Sequence, residues 1–106
     1  MQLITRKDFR ESLTLLIPHR QQDGEGGWEE IWNPGPRVWA AVFPILEKRE
    51  KPHYHLVVGG GLILPYKIAF LWNVGDTSKR LHIITEPQFI QHKRFLSMIA
   101  KEESHA

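Results

Sequence analysis

The sequence predicts an all-β domain, a small single-domain antiparallel β-barrel or sandwich of about six short strands with long loops. Three observations carry this expectation. Short apolar runs rich in β-branched and aromatic residues recur along the chain. Clusters of Pro, Gly, Asn and Asp separate them. No segment sustains a long helical period. With 106 residues, no repeat and no linker, residues 1–106 read as one domain.

The first run, residues 12–17 (SLTLLI), ends in this reading at Pro18, which cannot donate to a ladder. The polar stretch RQQDGEGG follows. Residues 28–32 (WEEIW) form a second strand, with Trp28, Glu30 and Trp32 on one face by the period of two. Asn33-Pro34-Gly35-Pro36 is a turn or crossing signal. Residues 37–45 (RVWAAVFPI) make a third strand. Val38, Ala40 and Val42 face one side and Trp39, Ala41 and Phe43 the other, so both faces are apolar and a central position is expected.

Residues 47–51 are a dense charge run, EKREK, and residues 52–64 hold His53, His55 and a glycine triplet without a clear element. Residues 66–72 (YKIAFLW) form a strand with Ile68, Phe70 and Trp72 on one face; residues 73–80 form a polar turn. Residues 81–85 (LHIIT) are the next strand, closed by Glu86-Pro87. Residues 94–100 (RFLSMIA) are the last, although Phe95, Met98 and Ile99 also fit a C-terminal helix. Residues 101–106 read as a flexible tail.

Composition narrows the function classes. Without cysteine there is no disulfide framework and no thiolate metal site. The formal charge of +2 is mildly basic, well short of a dedicated DNA-binding tail. The N-terminus MQLITRKDFR has no apolar stretch of the kind a signal peptide needs. No apolar run approaches the ~18–20 residues that cross a bilayer, so no membrane partner is expected.

Chemistry-bearing residues are sparse. His53 and His55 alternate on a strand and offer two imidazoles, but no spacing supplies a third zinc ligand. Gly59-Gly60-Gly61 lacks the lysine and Ser/Thr that a phosphate-binding loop needs. Thr77 and Ser78 beside Asp76 are what a turn prefers. No catalytic residue, metal or cofactor is expected. The basic side chains Lys48, Arg49, Lys51, Lys79, Arg80, Lys93 and Arg94, with four tryptophans, leave a second class open: a small barrel binding single-stranded nucleic acid. Against it, Glu47 and Glu50 interrupt the basic run, and Trp39 and Trp72 lie in apolar strands that suit a core.

Asp23-Gly24-Glu25-Gly26-Gly27-Trp28-Glu29-Glu30-Ile31-Trp32 resembles the Asp-x-x-Gly-Gly-x-x-x-x-Trp signature of the head–tail adaptor, or head-closure (stopper), proteins of tailed bacteriophages, prophages and gene transfer agents. Asp23, Gly26, Gly27 and Trp32 occupy its fixed positions. Val38-Trp39-Ala40-Ala41-Val42-Phe43-Pro44 is similar to the family's Val-Trp-Ala-x-Val-x-Pro strand. Residues 10–17, 66–72 and 80–100 resemble the family's remaining strands, so the resemblance covers nearly the whole chain. The segment KPHYHLVVGGGLIL departs from it, being richer in glycine than the helix-prone stretch common there.

The resemblance implies a non-enzymatic structural protein of the virion neck, made in the bacterial cytoplasm. It implies a barrel that docks as a ring under the portal and its adaptor, closes the DNA channel and presents a surface to the tail. The implied partners are the portal/adaptor ring, tail components, further copies of the chain and, non-specifically, packaged double-stranded DNA. Residues Asp23, Gly24, Glu25, Gly26 and Gly27 form the expected docking loop. A channel loop over residues 47–64 would use Lys48, Arg49, Lys51, Gly59, Gly60 and Gly61. Trp32, Val38, Trp39, Val42, Phe70 and Trp72 are the expected core anchors.

Overall fold

The computed structural model describes residues 3–46 and 51–103. Its elements are a 3-10 turn (Arg6–Asp8) and seven strands: β1 (Glu11–Gln22), β2 (Trp28–Pro44), β3 (His53–Gly59), β4 (Ala69–Val74), β5 (Thr77–Ile83), β6 (Gln88–Ile90) and β7 (Phe95–Glu103). Every pairing is antiparallel. The order is β3-β2-β1-β4-β5-β7-β6, and a β3–β7 pairing joins the ends into a ring, with β6 lying against the start of β7. The all-β barrel expected from the sequence is therefore present, and closure removes the edges that a small open sheet leaves exposed.

Alternation fills the barrel. Leu13 and Leu15 of β1, Ala40 of β2, Leu56 and Val58 of β3, Phe70 of β4, Leu81 of β5 and Met98 of β7 are buried together. Val38, Val42 and Trp72 pack against them partly exposed, and Trp32 is half-buried at the barrel mouth. A second cluster lies on the outer wall, where Ile4, Ala41 and Val57 are covered by Phe9, Phe43, Ile90 and Phe95. The N-terminal segment is fastened there: Gln91 Nε2 donates to Ile4 O at 2.9 Å, and Ile4 N donates to Gln91 Oε1 at 2.8 Å. Ala40 and Ala41 are both fully buried on opposite faces, as the doubly apolar run at residues 38–43 predicts.

Several boundaries differ from the sequence expectation. β1 does not stop at Pro18 but continues to Gln22, with Pro18 opposite Trp32. Residues 28–32 and 37–45 are not two strands but parts of the single strand β2. The signal at residues 33–36 marks a bulge: Thr14 faces Arg37 and Leu16 faces Pro34, so β2 carries one extra residue. Gly35 is required there, because a Cβ would lie 2.7 Å from Ile17 Cδ1 and 2.9 Å from Leu15 O. Bulges and edges tolerate proline, so Pro34 and Pro36 interrupt the ladder without ending the strand. The strand expected over residues 94–100 is present as β7, beginning at Phe95 and running on through residues 101–103 of the expected tail. The turn expected over residues 73–80 contracts to Gly75-Asp76, with Gly75 at φ 61°.

The largest correction concerns residues 47–64. Lys48 and Arg49 lie outside the described residues. Residues 53–59 are not loop but strand β3, buried between β2 and β7. His53 pairs with Lys101 at one end of the barrel and Gly59 with Phe95 at the other, so Lys51 and the glycines stand at opposite ends. They do not form one channel loop. Gly59 belongs to the ladder, and Gly60 is held by its N–H donating to Arg94 O at 2.8 Å. A Cβ on Gly60 would lie 2.2 Å from Lys93 O. Its glycine is thus required by close backbone approach rather than by freedom to swing. Gly60→Ala is expected to cost about 1–3 kcal/mol, read as a lower urea midpoint; an unchanged midpoint would contradict this packing.

Candidate functional site

The longest dimension of the molecule is 51 Å against 30 and 24 Å, and the β1–β2 ribbon produces it. β1 pairs with β4 only at residues 13–16, and β2 pairs with β3 only from Ala40 onward. Residues 17–22 and 28–33 therefore form a two-stranded arm that leaves the barrel. An isolated ribbon is marginal in water. The base of this one is tied down by Lys67 Nζ, 3.0 Å from Glu30 Oε2, and by Trp32, edge-on to His82 at 5.6 Å between ring centroids. Together with residues 66–68 the arm base bounds a groove of about 620 Å³.

The tip of the arm is the expected docking loop, and its geometry accounts for the motif residue by residue. Asp23 Oδ1 accepts from Glu25 N at 2.7 Å and from Gly27 N at 3.1 Å, while Asp23 N donates to Gly27 O. The carboxylate thereby satisfies the turn's amides from inside the loop. Gly24 and Gly26 both sit at φ 85°, where a side chain would be strained. Gly27 has ordinary φ, but a Cβ would meet Asp23 Oδ2 at 2.7 Å. Glu25 points into solvent. Residues 23–27 thus form a hydrogen-bonded turn, largely exposed, at the end of the arm.

Two exposed tryptophans stand out. Trp28 closes the tip at 64% exposure. Trp39 was expected in the core and is 63% exposed. The reason is strand parity: Ala40 takes the inward position, Trp39 points outward, and the N-terminal segment covers Ala41 and Phe43 but stops short of it. Trp39→Ala is therefore expected to change the unfolding free energy by less than about 1 kcal/mol. A loss of 3 kcal/mol or more, about the cost of truncating a buried aromatic, would contradict the outward placement. Shallow apolar depressions surround this ring, formed with Phe9, Val38, Leu62 and Phe95 and bordered by Arg6 and Arg37. Sequence reasoning missed this face, because an apolar run does not reveal which of its two faces a later segment will cover.

The opposite end of the barrel is closed by polar and aromatic groups. Tyr54 OH donates to Glu102 Oε1 at 2.9 Å, and Lys79 Nζ lies 3.3 Å from the same oxygen. Trp72 Nε1 donates to Glu11 Oε2 at 3.0 Å, with Tyr54 edge-on at 5.3 Å and Lys79 over its ring. Burial, then the bond to Glu102, raises the Tyr54 pKa; the bond to Glu102 raises that of Lys79. Burial lowers the pKa of His55, whose Nε2 shares a hydrogen bond with Ser97 Oγ. Burial also lowers that of His82, partly offset by Glu103. His53 Nδ1 lies 2.8 Å from Lys51 O. The paired histidines thus point to separate structural partners, and no group of three metal-capable side chains occurs among the described residues. No helix among the described residues is long and apolar enough to cross a membrane.

The fold is similar to the solution structure of protein SF1141 from Shigella flexneri 2a, a structural genomics target. The two agree with a TM-score of 0.74 over 97% of this chain and 100% of that one, at 16% sequence identity. At that identity the likeness establishes the shared fold. No family model matches the chain, and no curated protein matches it.

Proposed function

We propose that this protein is a structural connector of the phage neck, a head-closure subunit that docks as a ring beneath the portal and adaptor and offers a surface to the tail. One observation carries the reading: a closed, filled barrel projects a two-stranded arm whose tip bears the hydrogen-bonded Asp23-to-Gly27 turn and the exposed Trp28. A projecting, exposed element with an aromatic at its end suits docking, since aromatic side chains are enriched at interfaces. The motif residues Asp23, Gly26, Gly27 and Trp32 all build this arm, which supports the resemblance that singled them out. Contact with packaged DNA would be through phosphates and independent of sequence.

A connector is expected to hold DNA weakly and to release it as salt rises from 50 to 200 mM, whereas a dedicated nucleic-acid barrel retains oligonucleotide at physiological salt. Gel shifts with double- and single-stranded DNA of equal length separate the two. Salt-resistant binding of the single strand would contradict the connector reading and favour recognition through Trp39 and its flanking arginines.

A further inference from the structure

The geometry points to one particular contact between copies of this chain: the arm tip of one subunit seats on the Trp39 face of the next. The inference deepens the connector reading and rests on its ring.

Charge and shape both favour this occupant. Residues 21–29 carry three carboxylates, Asp23, Glu25 and Glu29, and no cation, and they present Trp28 to solvent. The depressions around Trp39 are bordered by Arg6 and Arg37 and by no carboxylate among the described residues. An acidic, aromatic tip thus matches a basic, aromatic face. Tryptophan and arginine are the residue types that most often dominate interface energetics, and an arginine over an indole adds a cation–π contact.

A chain cannot satisfy its own face. Trp39 pairs with Ser12, whereas the tip begins where Gln22 pairs with Trp28. Ten residue steps along β1 separate Ser12 from Gln22, roughly 33 Å at 3.3 Å per residue. The ribbon holds the tip away from its own barrel, so the occupant is a second copy. Tip and face are different surfaces, which makes the contact heterologous, and heterologous contacts generate rings when the rotation closes. Strand addition along the arm is blunted by Pro18, Pro34 and Pro36, which leaves side-chain docking of the tip as the mode.

Two variants test this. Glu25→Lys with Glu29→Lys makes the tip cationic while keeping Asp23, which the turn needs. Arg6→Glu with Arg37→Glu makes the face anionic. Each pair alone is expected to weaken self-association at least tenfold, measured by sedimentation of the free protein and of its mixture with the portal–adaptor complex of its own genome. Mixing the two variants restores association, because each then offers the charge the other lacks. The absence of native cysteine allows a direct check. Glu25→Cys and Arg37→Cys chains, mixed and oxidised, are expected to give a disulfide-linked dimer. A Glu25→Cys and Ser78→Cys mixture gives none.

Three results overturn the inference. If rings assemble on the portal complex but the charge variants assemble normally and the Glu25–Arg37 pair does not link, the ring stands and its contact lies elsewhere. If no copies associate under any condition, the contact and the ring reading fail together. If the cysteine pair does not link and Arg6→Glu with Arg37→Glu instead abolishes binding of a single-stranded oligonucleotide, the face serves nucleic acid.

Discussion

Phe70→Ala is expected to lower the free energy of unfolding by about 3–5 kcal/mol, the largest single effect on stability in the molecule. Phe70 is fully buried and stands at the centre of the barrel wall, opposite Leu15 on β1 and Leu81 on β5. Both neighbours are themselves almost completely buried, so the space left by the ring has rigid walls and little means to collapse. A domain of this size has only about 5–15 kcal/mol in total, so the variant should unfold at a much lower urea concentration or fail to fold near 37 °C. Leu81→Ala, which removes a smaller side chain from the same interior, is expected to cost about 2–5 kcal/mol and remain measurable. A loss below about 1 kcal/mol in both would contradict a packed barrel interior.

Removing the distal arm is expected to have the opposite signature, with the fold kept and assembly lost. Arg20 and Glu30 face each other across the ribbon, so residues 21–29 can be replaced by Asn-Gly, which forms the tight turn that such strands accept. The deletion takes no residue of either apolar cluster and leaves Glu30 to pair with Lys67. The melting temperature should stay within a few degrees of the parent. If the chain is the proposed connector, the shortened form is expected to be missing from the neck of assembled particles, and filled heads to lose their DNA. Normal incorporation and DNA retention would show that the arm is not the docking element. The milder change Asp23→Ala removes the acceptor for two turn amides and should reduce incorporation while leaving the tip's length intact.

What the sequence made legible follows from which physical signals are local. Strand parity around Phe70 and across Ala40 and Ala41 could be read directly, because alternation is written into neighbouring residues. The Asp23-to-Gly27 turn was equally legible, since an aspartate and three glycines encode their own backbone geometry. Three things were not. Pro18 and the Pro34-Gly35-Pro36 run looked like strand ends, yet the partner strand and a bulge carry the ladder past them. β3 was hidden by His53, His55 and Gly59, and its strand character comes from β2 and β7 on either side rather than from its own pattern. Trp39 was assigned to the core because its strand is apolar on both faces, and only the path of the N-terminal segment decides how far the outer face is covered. The same tertiary facts divide the expected channel loop between the two ends of the barrel and leave the face around Trp39 exposed.

Whether the chain is the ring-forming connector proposed above is tested by the mass of the purified protein alone and mixed with a cognate phage portal–adaptor complex. A connector is expected to add to the complex in a fixed, ring-like number of copies and to stay bound through sedimentation. A protein that ignores the complex at every concentration, and instead runs with single-stranded DNA, would contradict it.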